Sequence, residues 1–251
     1  MKKGLAYAAI GFLAYIIFAV VLLPADRVYG WIGQSLGAVK LYDVSGTIWS
    51  GAARGALIDG RPLRSVKWQI RPWSVFLGKV QIGWSFDNGD SWGKGVAALG
   101  MNKMLGLQDV QAQIPVSQLQ PMLRLPVQLE GVLAVDVDDL DYDPATQLVT
   151  QATGIVTWND AGVAKVTDAS LGTFRLTVTS EDDKILGQLQ DGGEGPLSAN
   201  GNLVLTPDRK WTFQGEVALR DPQRRDVANV LNLLGRPNAE GKIPLQQTGT
   251  F

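Results

Sequence analysis

The sequence predicts an all-β protein: a twisted, partly curled antiparallel β-meander with an N-terminal transmembrane helix and a short C-terminal helix. Three observations predict it. Residues 4–23 contain no charge. From Val39 onward, short runs alternate apolar and polar residues. Gly, Asn, Asp and Pro separate those runs, and the chain has 29 Gly in 251 residues.

The uncharged stretch reads GLAYAAIGFLAYIIFAVVLL. As a helix, twenty residues rise about 30 Å, the thickness of a hydrocarbon core. Lys2 and Lys3 precede it, so residues 1–3 are expected on the cytoplasmic side and the body of the chain across the membrane. Tyr7 and Tyr29 are placed to sit near the two interfaces. A cleaved signal peptide is the competing reading. Its apolar region would be about 7–15 residues with a small-x-small cleavage site, and LLPADRV offers no such pair. Gly4, Ala8 and Gly11 fall near one helical face, which suits either helix association or tolerance by lipid. Residues 24–38 are expected to be a linker.

Residues 39–251 are expected to form one β-rich domain. LEGVLAVDVDDLDYD (129–143), TFRLTVTS (173–180), GNLVLTPD (201–208) and WTFQGEVALR (211–220) have the period-two alternation of strands with one buried face. DGRP (59–62), DNGD (87–90), EDDK (181–184) and TPDRK (206–210) supply turns between them. IPVSQLQPML (114–123) reads as one or two helical turns. DPQRRDVANVLNLLG (221–235) reads as a helix, with Asp221 as cap, Pro222 in the first turn and Gly235 as stop. Its Val227, Val230, Leu231 and Leu234 make one apolar stripe. KIPLQQ after it is strand-like. Both LGKVQIGWSF (77–86) and LGTFRLTVTS (171–180) pair a Leu-Gly with alternation. The strands therefore read either as one meander or as two similar halves, 39–125 and 126–251.

Composition removes whole classes of function. Lys plus Arg number 23 and Asp plus Glu 24, a net charge of -1, so there is no electrostatic case for nucleic-acid binding. With no His and no Cys, Ser-His-Asp and Cys-His catalysis, Cys/His zinc sites, disulfides and iron–sulfur clusters cannot be built. A carboxylate pair or a Ser-Lys dyad survives that test, but no motif singles one out. No nucleotide loop of the GxxxxGK type occurs. No catalytic group, cofactor or metal is expected.

Four features remain. Asp136, Asp138, Asp139, Asp141 and Asp143 alternate as calcium ligands can, yet counting from Asp139 the sixth and twelfth positions are Pro144 and Thr150, not Gly and Glu. A solvated strand end leading into a turn is the simpler reading. Six of the eight Trp precede residue 100; they line a groove or pack across strands. Arg54, Arg61, Arg64, Lys67 and Arg71 form a basic segment that suits acidic headgroups, an acidic partner or dispersed surface charge. Trp49 and Arg54 from an early motif, with Arg236 and Pro237 from a late one, are the candidate partner contacts. The alternative for Trp49, with Gly46 and Gly51, is strand packing and turn geometry.

The order of features resembles a known family. A Lys-led apolar helix is followed by VSGTIWSGAARG (44–55), VKWQIRPWSVFLGKVQ (66–81), GIVTWNDAGV (154–163), LGTF (171–174), GPLSANGNLVLTPDRKWTFQGEVALR (195–220) and VLNLLGRPNAEGKIPLQQTG (230–249). Together these resemble the type II secretion system protein N family. The resemblance implies a non-catalytic accessory component of the cell inner membrane, single-pass, with a periplasmic β-rich domain. It would support assembly of the machine that exports folded periplasmic exoproteins. Implied partners are the inner-membrane platform proteins L and M, the secretin and the inner membrane itself. An AsmA-like envelope protein whose β-groove binds or transfers lipid is the alternative.

Overall fold

In a computed structural model of the chain, the structure describes residues 2–33, 37, 39–58, 60–123, 128–164, 169–221 and 223–250. Two helices come first, α1 (Lys2–Val21) and α2 (Ala25–Ile32). Strands β1 (Val39–Gly46), β2 (Ser50–Ile58), β3 (Arg61–Arg71) and β4 (Lys79–Asp87) follow, with a 3-10 segment at Pro72–Leu77. Next are β5 (Trp92–Gly100) and β6 (Leu105–Pro115), a 3-10 turn at Val116–Gln118 and the one-turn α3 (Gln120–Leu123). The chain continues through β7 (Gln128–Asp143), β8 (Leu148–Ala164), β9 (Ala169–Glu181), β10 (Lys184–Asp191), β11 (Leu197–Leu205) and β12 (Lys210–Leu219). Helix α4 (Arg225–Leu234) and β13 (Lys242–Thr250) close it. Strands β1 to β4 pair antiparallel in sequence order, and so do strands β5 to β13.

The chain divides into two compact units, Met1–Asn88 and Gly89–Phe251. In the first, β1 to β4 pair in order. Leu41, Ala56 and Leu63 form one cross-strand row, and Val44, Ala53 and Val66 another. Each pair of rows is three residues apart along its strand, so one extra residue intervenes: Asp43, Arg54 and Ser65. Asp43 (φ 51) and Ser65 (φ 47) are left-handed there. Such insertions keep the apolar face in phase while bending the strands.

The second unit shows the same arithmetic over more strands. Ala112, Val135, Val156, Leu176, Leu189, Gly201, Gly215 and Leu245 form an uncharged row from β6 to β13. One residue along, Gln111, Asp136, Ile155, Thr177, Gln188, Asn202, Gln214 and Gln246 form a mostly polar row. Period-two alternation thus makes one apolar and one polar face. Asp109 (φ 50) in β6 and Asp160 (φ 49) in β8 are the left-handed residues that restore phase. Helix α4 covers one end of the apolar face. Val227 is fully buried and Leu231 nearly so, within a core that includes Ala161, Leu171, Leu197 and Ile243.

Several expectations require correction. The predicted transmembrane helix over 4–23 is not supplied: among the described residues no helix is long and apolar enough to cross a membrane. Helix α1 starts at Lys2 and stops at Val21, so it takes in both lysines and leaves Leu22 and Leu23 beyond its end. The stretch expected as linker contains α2, which packs on β1. Helix α4 begins at Arg225, four residues after Asp221, because Asp221 closes its own turn instead of capping. Its carboxylate accepts the Gln223 N–H at 2.9 Å and its carbonyl accepts the Arg224 N–H at 3.1 Å. Pro222 and the side chains of Val230 and Leu234 lie outside the described residues.

Candidate functional site

In the first unit the early motif forms a junction between α1 and the sheet. Gly46 (φ 85) ends β1, where a Cβ would stand 2.6 Å from the Ser50 carbonyl oxygen. This left-handed turn presents Thr47 and Trp49 to the helix. Trp49 Nε1–H donates to the Val20 carbonyl at 2.8 Å, satisfying one of the carbonyls that a helix end leaves open. Ile48 N–H donates to the Leu23 carbonyl at 3.1 Å, and Pro24 bridges to Thr47. Behind the turn, Trp68 lies over Gly51 and donates to the Ile48 carbonyl at 3.1 Å. A Cβ at Gly51 would meet the Trp68 ring at 2.3 Å, so the indole requires that glycine.

Helix α2 adds a second attachment. Ala25 is buried, and the Tyr29 hydroxyl accepts the Leu41 N–H at 2.8 Å. Tyr29, expected near a membrane interface, therefore spends its polar tip on β1. Arg54 projects from the bulge on β2 and pairs with Asp43 at 3.2 Å, with both side chains well exposed. An ion pair this open contributes little.

Arg236 and Pro237 belong to the second unit, in the exposed loop between α4 and β13. Asn238 organises that loop by accepting the Glu240 and Lys242 N–H groups at 2.9 and 3.0 Å. Trp49 and Arg54 share a hairpin, and Arg236 and Pro237 share a loop, each pair within its own unit.

The second unit also contains a clamp. Arg220, at the end of β12, reaches the Asp191 carboxylate with one Nη2 bond at 2.8 Å. Its Nη1 donates to the Gly195 and Leu197 carbonyls at 3.0 and 2.7 Å. Asp191 also accepts the Gly193 and Ala199 N–H groups. Burial pushes the Asp191 carboxyl up, but the Arg220 hydrogen bond and the two N–H donors outweigh it and hold it below its ordinary range. The clamp fixes the 191–197 loop and the point from which α4 departs. Neither Asp191 nor Arg220 stood out in the sequence; Arg220 only closes the strand-like run 211–220.

Opposite α4, the apolar face ends in a cavity of about 250 Å³ lined by Leu148, Val149, Ile185, Leu205 and Pro207, with Asp183 at its edge. The Asp run on β7 does not gather into a metal site among the described residues. Asp139 accepts from Gln108, and burial, with Asp139 as neighbour, raises the Asp141 carboxyl above its ordinary value.

The family described as Type II secretion system (T2SS), protein N matches residues 37–246. The chain belongs to the type II secretion system protein N family. It is 28% identical to the "Type II secretion system protein N" of Aeromonas hydrophila over 99% of both chains. It is 25% identical to the protein of that name from Vibrio cholerae, again over 99% of both. The Klebsiella pneumoniae protein of that name is 26% identical over 99% of this chain and 95% of its own. No solved structure matches. The junction hairpin, the Arg220 clamp and the α4–β13 loop all fall inside the family match.

Proposed function

We propose that the chain is a non-catalytic accessory component of the type II secretion system, supporting assembly of the export machine. The observation that carries this reading is the family match over residues 37–246, together with relatives of the same name along the whole chain. In this reading the exposed apolar side chains of α1 hold the protein at the inner membrane, and the β-rich domain lies in the periplasm. Support comes from the sequence of α1 and from its exposed Ile10, Phe12, Leu13 and Phe18, which no other element covers among the described residues. The platform proteins L and M and the secretin are the partners we assign. Trp49, Arg54, Arg236 and Pro237 are the contacts to probe, and the edge of β13 offers backbone groups for strand addition.

The test is photo-crosslinking of the full chain in cells, with the reactive residue at position 54 or 236. Capture of platform proteins or secretin is the expected result. A gene deletion that leaves both exoprotein secretion and platform-protein levels unchanged refutes the assembly role.

One observation favours a second reading. The apolar face that carries the uncharged row across eight strands, with the 250 Å³ cavity at one of its ends, suits an AsmA-like groove that binds or transfers lipid. Native mass spectrometry of the purified chain checks it. Co-purified lipid retained at substoichiometric detergent supports the groove, and its absence from repeated preparations removes it.

A further inference from the structure

The two units carry opposite charge. Residues 1–88 hold ten Lys or Arg against four Asp, a net of +6, and residues 89–251 hold thirteen against twenty Asp or Glu, a net of -7. The near-neutral total conceals this separation.

The register places three of these cations, Arg64, Lys67 and Arg71, on one face of β3. Tyr42, Gly55 and Arg64 form a row on the face opposite Leu41, Ala56 and Leu63. Ser45, Ala52, Lys67 and Ser85 form the next. Gln69 and Arg71 continue this face to the end of β3. Arg64, Lys67, Gln69 and Arg71 are all exposed, and β3 carries no carboxylate.

This face ends beside α1. Gln69 lies opposite Ser50, and Ile70 N–H donates to the carbonyl of Trp49, whose indole holds Val20. Lys67 and Arg71 are each two residues from Gln69, about 7 Å along the strand. A headgroup layer is roughly 5–8 Å thick on each side of the hydrocarbon. Trp73, just beyond β3, and Trp31, on α2, are 78% and 77% exposed, as aromatic residues of an interfacial belt are.

We propose that the outward face of β3, with Arg64, Lys67 and Arg71, docks on the anionic headgroups of the bilayer in which α1 is anchored. The proposal rests on the membrane reading of α1. Charge complementarity selects lipid, and the junction leaves little slack between that face and the helix end. Each cation near an anionic surface contributes about a fivefold preference for the docked state.

The chain has no Cys, so a single one can report on the face. The full chain carrying Q69C, labelled with an environment-sensitive fluorophore, is placed in nanodiscs of phosphatidylcholine alone or with about one third phosphatidylglycerol. The expected result is a blue shift and shielding from a neutral aqueous quencher in the anionic discs only. Salt at about 1 M, where the Debye length is ~3 Å, abolishes it in the otherwise native chain. Combining R64Q, K67Q and R71Q lowers the docked ratio about a hundredfold. Equal quencher access in both discs overturns the proposal. So does shielding that is indifferent to lipid and appears only when an acidic protein is added. A parallel label at L13C separates the two readings. If L13C is shielded in both discs and Q69C in neither, docking alone fails; if L13C is open to the quencher, the anchor fails and docking with it.

Discussion

The indole of Trp49 holds the carbonyl of Val20 at 2.8 Å across 29 residues of sequence. The bond joins the last turn of α1 to the β1–β2 hairpin, and Ile48 and Thr47 reinforce it from the backbone. Trp49→Phe keeps most of the ring and removes the donor. We expect a loss of about 1 kcal/mol. Hydrogen exchange is the direct measurement: the Ile48 amide, bonded to the Leu23 carbonyl, exchanges faster in the variant, while the second unit keeps its protection.

Gly51 tests the seat beneath Trp68. Gly51→Ala places a methyl 2.3 Å from the indole, and we expect a loss of about 1–3 kcal/mol from displacing a packed ring. Gly55→Ala, four residues along the same strand, meets its nearest atom at 3.8 Å and is expected to be near neutral. Thermal unfolding of both variants in the full chain makes the comparison. Equal melting temperatures would refute the role assigned to Gly51.

The Arg220–Asp191 clamp makes stability depend on pH. Because the folded carboxyl titrates below its ordinary value of 3.8, the folded state holds the proton more weakly than the unfolded chain does. The contribution is fully present above about pH 5 and is lost as the pH falls through the folded pKa. Asp191→Asn removes the charge at every pH. The stability gap between native chain and variant, measured by denaturant titration, should be widest near neutrality and narrow as the pH drops below about 4.

Val227 tests the cover on the apolar face. It is fully buried between α4 and the sheet, and Val227→Ala should cost about 1–3 kcal/mol. Val227→Asp buries an unpaired charge and should release α4 from the sheet. Binding of a hydrophobic dye to the second variant, and not to the first, reports the exposed face.

The meander was legible from period-two alternation. TFRLTVTS and WTFQGEVALR appear as β9 and β12, with TPDRK turning between β11 and β12. The phase shifts were not legible. Asp43, Ser65, Asp109 and Asp160 are left-handed insertions, and in sequence each reads as an ordinary polar residue of its strand. Asp221 misled because Asp before Pro signals a cap and a turn alike, and the turn won. The site was half visible. Trp49 stood out with Gly46 and Gly51, but its partner Val20 is a backbone carbonyl that no side-chain pattern can indicate. Asp191 and Arg220 meet only because β11 and β12 bring loop and strand end together. The basic residues of β3 were visible as a segment, and only the register shows which of them share a face.

Strand order that matches sequence order also bears on how the polypeptide acquires its structure. Within each unit a strand pairs with the ones just before and just after it, so most hydrogen-bonded neighbours are close in sequence. Closing such short loops costs little entropy, and low contact order favours fast folding. A chain emerging from its amino end can therefore add strands one at a time to an edge already formed. Helix α4, which reaches back to β9, waits for several strands to be in place.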